Sequence, residues 1–260
     1  MTSKLLDMKK SLFFLLVASQ LLLSCKSHYQ VTGVDRTTVL VDSRYDVIPN
    51  AEAETFIAPF KHVVDSMMSP KVGRIARYMA AKKPESELSN LLADVLVWAG
   101  KMYNEQPVFG LYNMGGIRAA LAEGDVTYGD VLDVAPFENK ICFLTLTGEK
   151  TLELFQQIAS TGGEAVSHAV KMVMTPDHQL KSVLLNGKPI DPKATYRLAT
   201  IDYLAQGNDR MDAFKSKTDV NSPQEDSNNL RYIIMDYFRE QDKLGKVVDA
   251  QIEGRITIEN

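Results

Sequence analysis

The stretch Val108-Phe109-Gly110-Leu111-Tyr112-Asn113-Met114-Gly115-Gly116-Ile117-Arg118 begins as an apolar, β-like run and passes directly into a polar loop that contains two glycines. A short apolar run that is bounded by turn residues is typical of a buried strand. The pattern therefore predicts a strand over 108–112 that ends in a loop rich in polar and backbone donors.

Two further loops of this kind follow. The first is Pro136-Phe137-Glu138-Asn139, which comes just before the apolar run 141–146. The second is Asp202-Tyr203-Leu204-Ala205-Gln206-Gly207-Asn208-Asp209, which comes just after the β-like run 196–201. Together the three loops offer two aromatic faces, a guanidinium and several amide or carboxylate groups. A site that holds a nucleobase with its ribose and phosphate needs this set of groups.

Hydrophobic periodicity and turn residues predict the other elements. Helices are expected over 51–68, over 89–103 with Ser89 or Asn90 as N-cap, over 128–134, over 147–159, and from Asn228 or Asn229 to Arg239. Strands are expected near 39–41, 72–78, 126–127, 170–174, 182–185 and 255–258, with a hairpin turn at Asn186-Gly187 and an irregular polar excursion over 215–227. Helices and strands alternate without a regular βαβ period, so the sequence predicts an α+β fold, a single mixed-sheet domain over 35–260.

The amino terminus has the pattern of a bacterial export signal. Two lysines precede an apolar run over 12–23, and this run is too short to cross a bilayer as a helix. Leu22-Leu23-Ser24-Cys25 resembles the lipobox of bacterial lipoproteins. We therefore expect a lipoprotein signal peptide over 1–24, lipidation of Cys25, and a tether over 25–34. This predicts an exported, lipid-anchored protein on the periplasmic face or the cell surface of a bacterial membrane.

Composition and charge exclude several classes of function. The hydrophobic fraction of 45% and the charged fraction of 24% are those of an ordinary globular protein. The formal net charge is −4 and the cations are not clustered, so we expect no nucleic-acid polymer as a partner. Cys142 lies within an apolar run and would have no intramolecular partner once Cys25 is lipidated, so we expect a buried, inert thiol.

Several short motifs, taken in chain order, resemble the C-terminal, substrate-binding domain of the 5′-nucleotidase family. They are Asn90-Leu91-Leu92-Ala93-Asp94, Asn113-x-Gly115-Gly116-Ile117-Arg118, Gly124-Asp125-Val126-Thr127-Tyr128-Gly129-Asp130-Val131, Pro136-Phe137-Glu138-Asn139, Leu146-Thr147-Gly148, and the segment from Tyr196 to Asp209. The resemblance covers most of the chain between about Lys71 and Asp209. Each motif is short, and their common order makes the set specific.

The resemblance implies a substrate site. In this family the domain binds the nucleoside between two aromatic rings, and a separate N-terminal metallophosphoesterase domain holds two metal ions and cleaves the phosphate. The rings fall at Phe137 and Tyr203, and the carboxylate that contacts the nucleoside falls at Asp209. The full set of implied substrate-binding residues is Asn113, Gly115, Gly116, Arg118, Phe137, Asn139, Tyr203 and Asp209.

Each of these residues also suits an ordinary structural role. The alternatives are a tight turn with positive φ at Gly115 and Gly116, a core position for Phe137, a strand end with a surface hydroxyl at Tyr203, an ion pair of Arg118 with Glu123 or Asp125, and a turn at Asp209. The functional interpretation is favoured because the structural roles do not require all of these residues in this order.

The chain departs from the family pattern in several respects: Ser86 and Asn90 stand where some relatives have arginines, Asn208 replaces a usual glycine, and the metallophosphoesterase signatures are missing. The sequence has no Asp-x-His near its start, no Gly-Asn-His-Asp or Gly-Asn-His-Glu, and no Gly-His-x-His, and its histidines are scattered and expected at the surface: His28, His62, His168 and His178. We therefore expect no catalytic residue, metal ligand or cofactor in this chain, and a divalent metal pair in a partner subunit.

Three functions are weighed against these observations. The first is the nucleotide-binding half of a 5′-nucleotidase-type hydrolase in nucleotide catabolism, acting with a separate metallophosphoesterase subunit. The alternative is a nucleoside- or nucleotide-binding lipoprotein for uptake or sensing that takes no part in hydrolysis. A third, an adhesion or structural lipoprotein with a decayed site, predicts that neither ring matters for binding. Stacking between rings is indifferent to base identity, so the first two predict a site that accepts several nucleosides.

Overall fold

The computed structural model of the protein describes residues 29–45 and 49–259. The expected signal peptide and Cys25 lie outside these residues. Residues 29–41 are exposed and have no regular secondary structure, so the strand predicted at 39–41 is wrong. Its β-branched residues favour extended structure, but a strand also needs a neighbouring strand to pair with. No helix among the described residues is long and apolar enough to span a membrane.

Six α-helices and eleven strands make up the described fold. The helices are α1 Ala51–Met68, α2 Glu87–Ala99, α3 Tyr128–Val134, α4 Gly148–Ser160, α5 Asp202–Ala205 and α6 Leu230–Lys243. The strands are β1 Lys71–Ile75, β2 Phe109–Tyr112, β3 Gly124–Thr127, β4 Ile141–Thr147, β5 Ala165–Val166, β6 Val170–Met174, β7 Leu180–Leu185, β8 Lys188–Pro189, β9 Thr195–Ile201, β10 Thr218–Asn221 and β11 Ile256–Ile258. Short 3-10 turns occur as well, among them Met114–Gly116. Residues Thr55–Asn260 form one compact unit.

The start of α2 differs from the prediction. The N-cap is Ser86, and Ser89 is the third residue of the helix. The Ser86 side chain accepts the backbone N–H of Ser89, and the Ser89 side chain accepts the backbone N–H of Ser86 at 3.0 Å. This reciprocal pair forms a capping box with serine in place of the usual Glu or Gln, which is why the sequence pattern placed the cap three residues too late.

The strands form three sheets, and the α+β class is confirmed. β1 and β3 pair in a two-stranded sheet, and the others form a five-stranded sheet in the order β10-β4-β9-β2-β5 and a four-stranded sheet in the order β11-β6-β7-β8. The larger two are mixed, since β9 runs parallel to β2 and β11 runs parallel to β6, while the other pairs are antiparallel. The irregular excursion predicted over 215–227 is wrong in part, because β10 pairs with β4 there.

The five-stranded sheet is covered on both faces. A Cβ on Gly110 of β2 would lie 2.4 Å from the carbonyl oxygen of Ala93, so α2 packs directly on that glycine. The neighbouring Phe109 contacts Phe155 of α4, with 5.5 Å between the ring centroids. Successive side chains of a strand point to opposite faces. α2 and α4 therefore lie on opposite faces of the sheet and bury its central strands.

The two predicted features of the four-stranded sheet are present. Asn186 and Gly187 have φ of 50° and 75°, and they join β7 to β8 as the predicted hairpin turn. β11 is an edge strand, and Arg255 just before it is buried with its guanidinium on Asp94 of α2, at 2.6 and 2.9 Å. This ion pair links the segment just before β11 to helix α2.

The sheet topology decides where the polar loops lie. β2 and β9 are parallel, so their carboxyl ends lie at one edge of the five-stranded sheet. β4 and β5 are antiparallel to these strands, so their amino ends lie at the same edge. The predicted loops follow β2, precede β4 and follow β9, and they consequently meet.

Candidate functional site

A cavity of about 240 Å³ opens where the three loops meet. Its walls are formed by Asn113, Gly115, Phe137, Asn139, Tyr203 and Asp209. Six of the eight residues predicted for the site therefore lie together, although 96 positions separate Asn113 from Asp209 in the sequence. The remaining two, Gly116 and Arg118, belong to the first loop but do not line the cavity.

The two predicted rings are both partly exposed on the cavity wall. Phe137 is 47% exposed and Tyr203 is 37% exposed, whereas large aromatic side chains are mostly buried. Phe137 is thus not a core residue. The start of helix α6 holds the Phe137 loop. Arg231 Nη2 donates to the carbonyl oxygen of Pro136 at 2.8 Å, and the Leu230 N–H donates to the carbonyl oxygen of Asn139 at 2.9 Å.

Asp209 joins the first and third loops. Asn113 Nδ2 donates to Asp209 Oδ2 at 2.7 Å, and the Tyr203 hydroxyl donates to Asp209 Oδ1 at 2.9 Å. Asp209 has a left-handed backbone with φ of 54°, which aspartate tolerates better than most residues. Asp209 therefore has a turn conformation and also lines the cavity. The hydrogen bond to Asp209 raises the pKa of the Tyr203 phenol above its usual value.

The first loop, which we call the glycine loop, is a single 3-10 turn, Met114–Gly116. Neither glycine of this turn has positive φ, so the suggestion that they serve a positive-φ turn is wrong. Gly116 is needed for a close approach instead, because a Cβ there would lie 2.6 Å from Asn113 Oδ1 and 2.7 Å from the Tyr112 hydroxyl. A Cβ on Gly115 would come no nearer than 4.0 Å to Asn113 Nδ2, so Gly115 leaves the cavity wall open.

Arg118 lies beside the cavity and is exposed. Its Nη1 donates to the carbonyl oxygen of Gly115 at 3.3 Å, and its backbone N–H donates to Val134 at 2.9 Å. Asp125, one of its two alternative partners, pairs with Lys71 at 2.7 Å. The guanidinium is therefore placed at the glycine loop and remains accessible from solvent.

Two carboxylates that hold the loops were missed by the sequence analysis. Asp202 Oδ1 accepts the backbone N–H groups of Lys140 and Tyr203, at 3.1 and 2.8 Å, and so joins the second loop to the third. Glu164 Oε2 accepts the backbone N–H of Met114 at 2.5 Å and so holds the first loop. The position of Asp202 at a strand end was a usable signal. Glu164 gave none, because it is 50 positions away from Met114 in the sequence.

The remaining titratable residues do not add to the cavity. Within residues 29–45 and 49–259, no group of three or more His, Cys, Asp or Glu side chains is arranged to hold a metal ion. His62, His168 and His178 are exposed, as predicted. Cys142 is buried, as predicted, and burial raises the pKa of its thiol to about 11, which disfavours the reactive thiolate.

The part of the chain that forms the cavity is similar in sequence to known proteins. The family model described as the C-terminal domain of 5′-nucleotidase matches residues 69–216. Protein UshA of Escherichia coli K12 is 25% identical over 183 residues, which cover 69% of this chain and 33% of UshA. The trifunctional nucleotide phosphoesterase protein YfkN of Bacillus subtilis 168 is 29% identical over 80% of this chain and 15% of its own length.

A solved structure gives the same fold. The 5′-nucleotidase precursor from Thermus thermophilus superposes with a TM-score of 0.69 at 24% identity, over 80% of this chain and 43% of that one. The present chain thus spans about a third of UshA and less than half of the Thermus protein.

Proposed function

The chain belongs to the 5′-nucleotidase C-terminal domain family, and from this premise we propose that its cavity binds a nucleoside or nucleotide. We propose further that it is the nucleotide-binding half of a 5′-nucleotidase-type hydrolase whose metal-dependent chemistry resides in a separate metallophosphoesterase subunit. The observation that carries the proposal is the presence of two half-exposed rings, Phe137 and Tyr203, on one cavity wall with Asn113, Asn139 and Asp209.

The cavity suits a flat heterocycle. Its volume of about 240 Å³ is below the range typical of pockets for drug-sized ligands, so a single base fits better than a dinucleotide. Each base–aromatic stack contributes roughly 1–3 kcal/mol and tolerates any base. The carboxylate oxygens of Asp209 each keep a lone pair beyond the bonds from Asn113 and Tyr203, and these can accept ribose hydroxyls. Arg118 offers a planar pair of donors to a phosphate.

Hydrolysis of a phosphate ester in this proposal uses metal ions of the partner subunit. A metal pair polarises the phosphoryl group and generates hydroxide. The proposal accordingly assigns the divalent metal pair to that subunit, and it assigns no catalytic residue or resident cofactor to the described residues of this chain.

Helix α1 supplies a surface for that partner. Six large apolar side chains on one face are between 52% and 72% exposed: Phe56, Ile57, Phe60, Val63, Val64 and Met67. We call them the α1 stripe. No residue of α1 is buried, and a contiguous apolar face of this kind marks an interaction site in a soluble protein. At 100° per residue the stripe is about 120° wide, which is broader than the seam of a coiled coil and suits packing against a folded domain.

The position of the α1 stripe favours the metallophosphoesterase subunit as its occupant. α1 ends at Met68, and the match to the C-terminal domain family begins at residue 69. The stripe therefore immediately precedes the segment that matches a C-terminal domain, and we propose that the metallophosphoesterase subunit docks there.

We also propose that the protein is exported and lipid-anchored through Cys25, at the periplasmic face or the cell surface.

Reconstitution tests the proposal. The purified protein is mixed with a candidate metallophosphoesterase subunit and with Mn²⁺ or Zn²⁺, and AMP turnover is compared with that of the subunit alone. We expect the pair to be faster, and an unchanged rate would refute the partnership. Binding of AMP and adenosine by calorimetry, with no gain in turnover, would instead support the alternative of a binding lipoprotein for uptake or sensing. No binding by either ligand would leave only an adhesion or structural role.

A further inference from the structure

We propose that Glu164 is a positioning residue that sets the nucleotide affinity of the cavity without lining it. Its buried carboxylate holds the glycine loop in the place from which Asn113 and Asp209 meet the ligand. The effect on affinity rests on the proposed function, whereas the effect on the loop does not.

Glu164 reaches the loop because of strand pairing. It directly precedes β5, which is antiparallel to β2 with Ala165 opposite Tyr112. Glu164 therefore comes alongside Asn113 at the edge of the sheet where the cavity opens. Its side chain is 6% exposed, and Oε2 accepts the Met114 N–H at 2.5 Å.

The glycine loop has no acceptor of its own for this N–H. Met114 is the first residue of the 3-10 turn, and Asn113 is at the N-cap position but makes no capping hydrogen bond. The Asn113 NH₂ group donates to Asp209, and its Oδ1 accepts no hydrogen bond from the described residues. Met114 is 8% exposed, so water has poor access to its backbone. Glu164 thus supplies the cap that the local sequence lacks, and a buried N–H without an acceptor is unfavourable.

The constraint passes from Glu164 to the cavity through a continuous set of contacts. Met114 follows Asn113, Asn113 donates to Asp209 at 2.7 Å, and Tyr203 donates to Asp209 at 2.9 Å. A shift of the turn therefore moves the amide that orients the Asp209 carboxylate and, with it, the Tyr203 ring. Site geometry of this kind is sensitive to displacements of about 1 Å.

A carboxylate is required at this position because both of its partners are donors. Oε2 accepts the Met114 N–H, and Oε1 accepts Lys83 Nζ at 2.9 Å. Glutamine has nearly the same shape but only one acceptor oxygen, so its NH₂ group would face one of the two donors. Lys83 Nζ is charged and is also held by the carbonyl oxygen of Thr161 at 2.7 Å, so the glutamine oxygen should stay on Lys83 and its NH₂ group should face the Met114 N–H. Glu164→Gln should consequently free the loop while changing little of the packing.

Glu105 provides a matched control. Its side chain is 14% exposed, and its two oxygens accept from Arg197, at 2.5 and 2.8 Å, and from Asn221 at 2.8 Å. It does not line the cavity and makes no contact with the glycine loop. Glu105→Gln therefore removes an equivalent charge from a comparable donor-only environment beside β9 and β10.

The first measurement is amide hydrogen exchange in the ligand-free protein. We expect the Met114 amide to exchange about tenfold faster or more in Glu164→Gln and at the parent rate in Glu105→Gln. An unchanged Met114 rate in Glu164→Gln would overturn the proposal. If Glu164→Gln does not fold, Glu164→Asp replaces it, since it keeps both oxygens and the charge but shortens the reach to Met114.

The second measurement is the Kd for AMP by calorimetry. We expect a Kd about tenfold higher in Glu164→Gln and within twofold of the parent in Glu105→Gln. Faster exchange at Met114 with an unchanged Kd would show that Glu164 is structural only and would overturn the proposal. If the parent protein binds neither AMP nor adenosine, the proposed function fails on its own, and the exchange measurement still decides whether Glu164 holds the loop.

Discussion

Two of the surfaces on which the described residues expose apolar side chains differ in shape and in support. Phe137 and Tyr203 stand in a concave cavity, and polar contacts fix them, from Arg231 to the Phe137 loop and from Tyr203 to Asp209. The α1 stripe lies on the convex face of one helix, none of whose residues is buried.

This difference indicates what kind of ligand each surface can bind. Rings held in a concave wall lose little conformational entropy on binding and match a small flat ligand. A convex stripe about 120° wide needs a second apolar surface of similar extent, which only a macromolecule offers. The two surfaces should therefore be separable by mutation, so that each variant affects one kind of binding and spares the other.

The largest effect is expected from removing both rings. Phe137→Ala with Tyr203→Ala removes two stacks of roughly 1–3 kcal/mol each, so the Kd for adenosine should rise about 100-fold or more. The rings are already partly exposed, so the melting temperature should fall little. Calorimetry and thermal denaturation measure the two quantities. An unchanged Kd would show that the rings do not stack on the ligand.

A charge in the α1 stripe should impair docking of the partner subunit and leave nucleoside binding unchanged. Phe60→Asp with Val63→Asp should abolish the gain in AMP turnover on mixing with the metallophosphoesterase subunit, because a desolvated charge opposes apolar docking. The Kd for adenosine of the isolated protein should stay at the parent value. Asp65→Ala, outside the stripe on the same helix, is the control and should leave both quantities unchanged. Retained stimulation in the double variant would place the partner elsewhere.

Asp209→Asn should have an intermediate effect confined to the cavity. Asn113 and Tyr203 both donate to Asp209, and an asparagine turns an NH₂ group toward one of them. Asparagine also tolerates the left-handed backbone at this position. We expect the Kd for adenosine to rise about tenfold, a cost of about 1.4 kcal/mol. Asp212→Asn, which alters an exposed ion pair with Lys215, should change the Kd less than twofold.

The smallest effect concerns pH. The hydrogen bond to Asp209 raises the pKa of Tyr203, so the phenol is favoured in its neutral form in the folded protein. The contribution of the neutral phenol to the cavity structure is fully present below the usual tyrosine pKa of about 10. It is lost as pH rises through the raised pKa of Tyr203 in the folded protein. The adenosine Kd should be flat from pH 7 to about 10 and increase above it. Tyr203→Phe should remove this dependence and raise the Kd about twofold at pH 7, and a slope that persists in Tyr203→Phe would assign it to another group.

Much of the fold follows from local patterns. The bounds of α1 and α3 and the Asn186-Gly187 turn were predicted, because helical periodicity and positive-φ turns depend on residues close in sequence. The misplaced start of α2 and the strand wrongly expected at 39–41 show the limit of this reasoning. A serine can complete a capping box in place of glutamate, and β-branched residues form a strand only beside a partner.

The motifs named residues that line the cavity, but they did not name the residues that support its walls. The ordered motifs indicated the six residues that line the cavity. They did not indicate Glu164, whose hydrogen bond with the first loop is to the backbone N–H of Met114. A residue that acts through the backbone of a distant segment leaves no pattern of spacing in the sequence.

The sequence by itself determined the local elements, the identity of the polar loops and their order along the chain, since these depend on interactions between near neighbours. Only the tertiary structure decided that the loops share one cavity, that Gly116 serves a close approach, and that Glu164 and Asp202 hold the walls. The physical reason is strand pairing. The parallel β2 and β9 and the antiparallel β4 and β5 bring together segments up to 96 positions apart, and no local preference specifies such pairs.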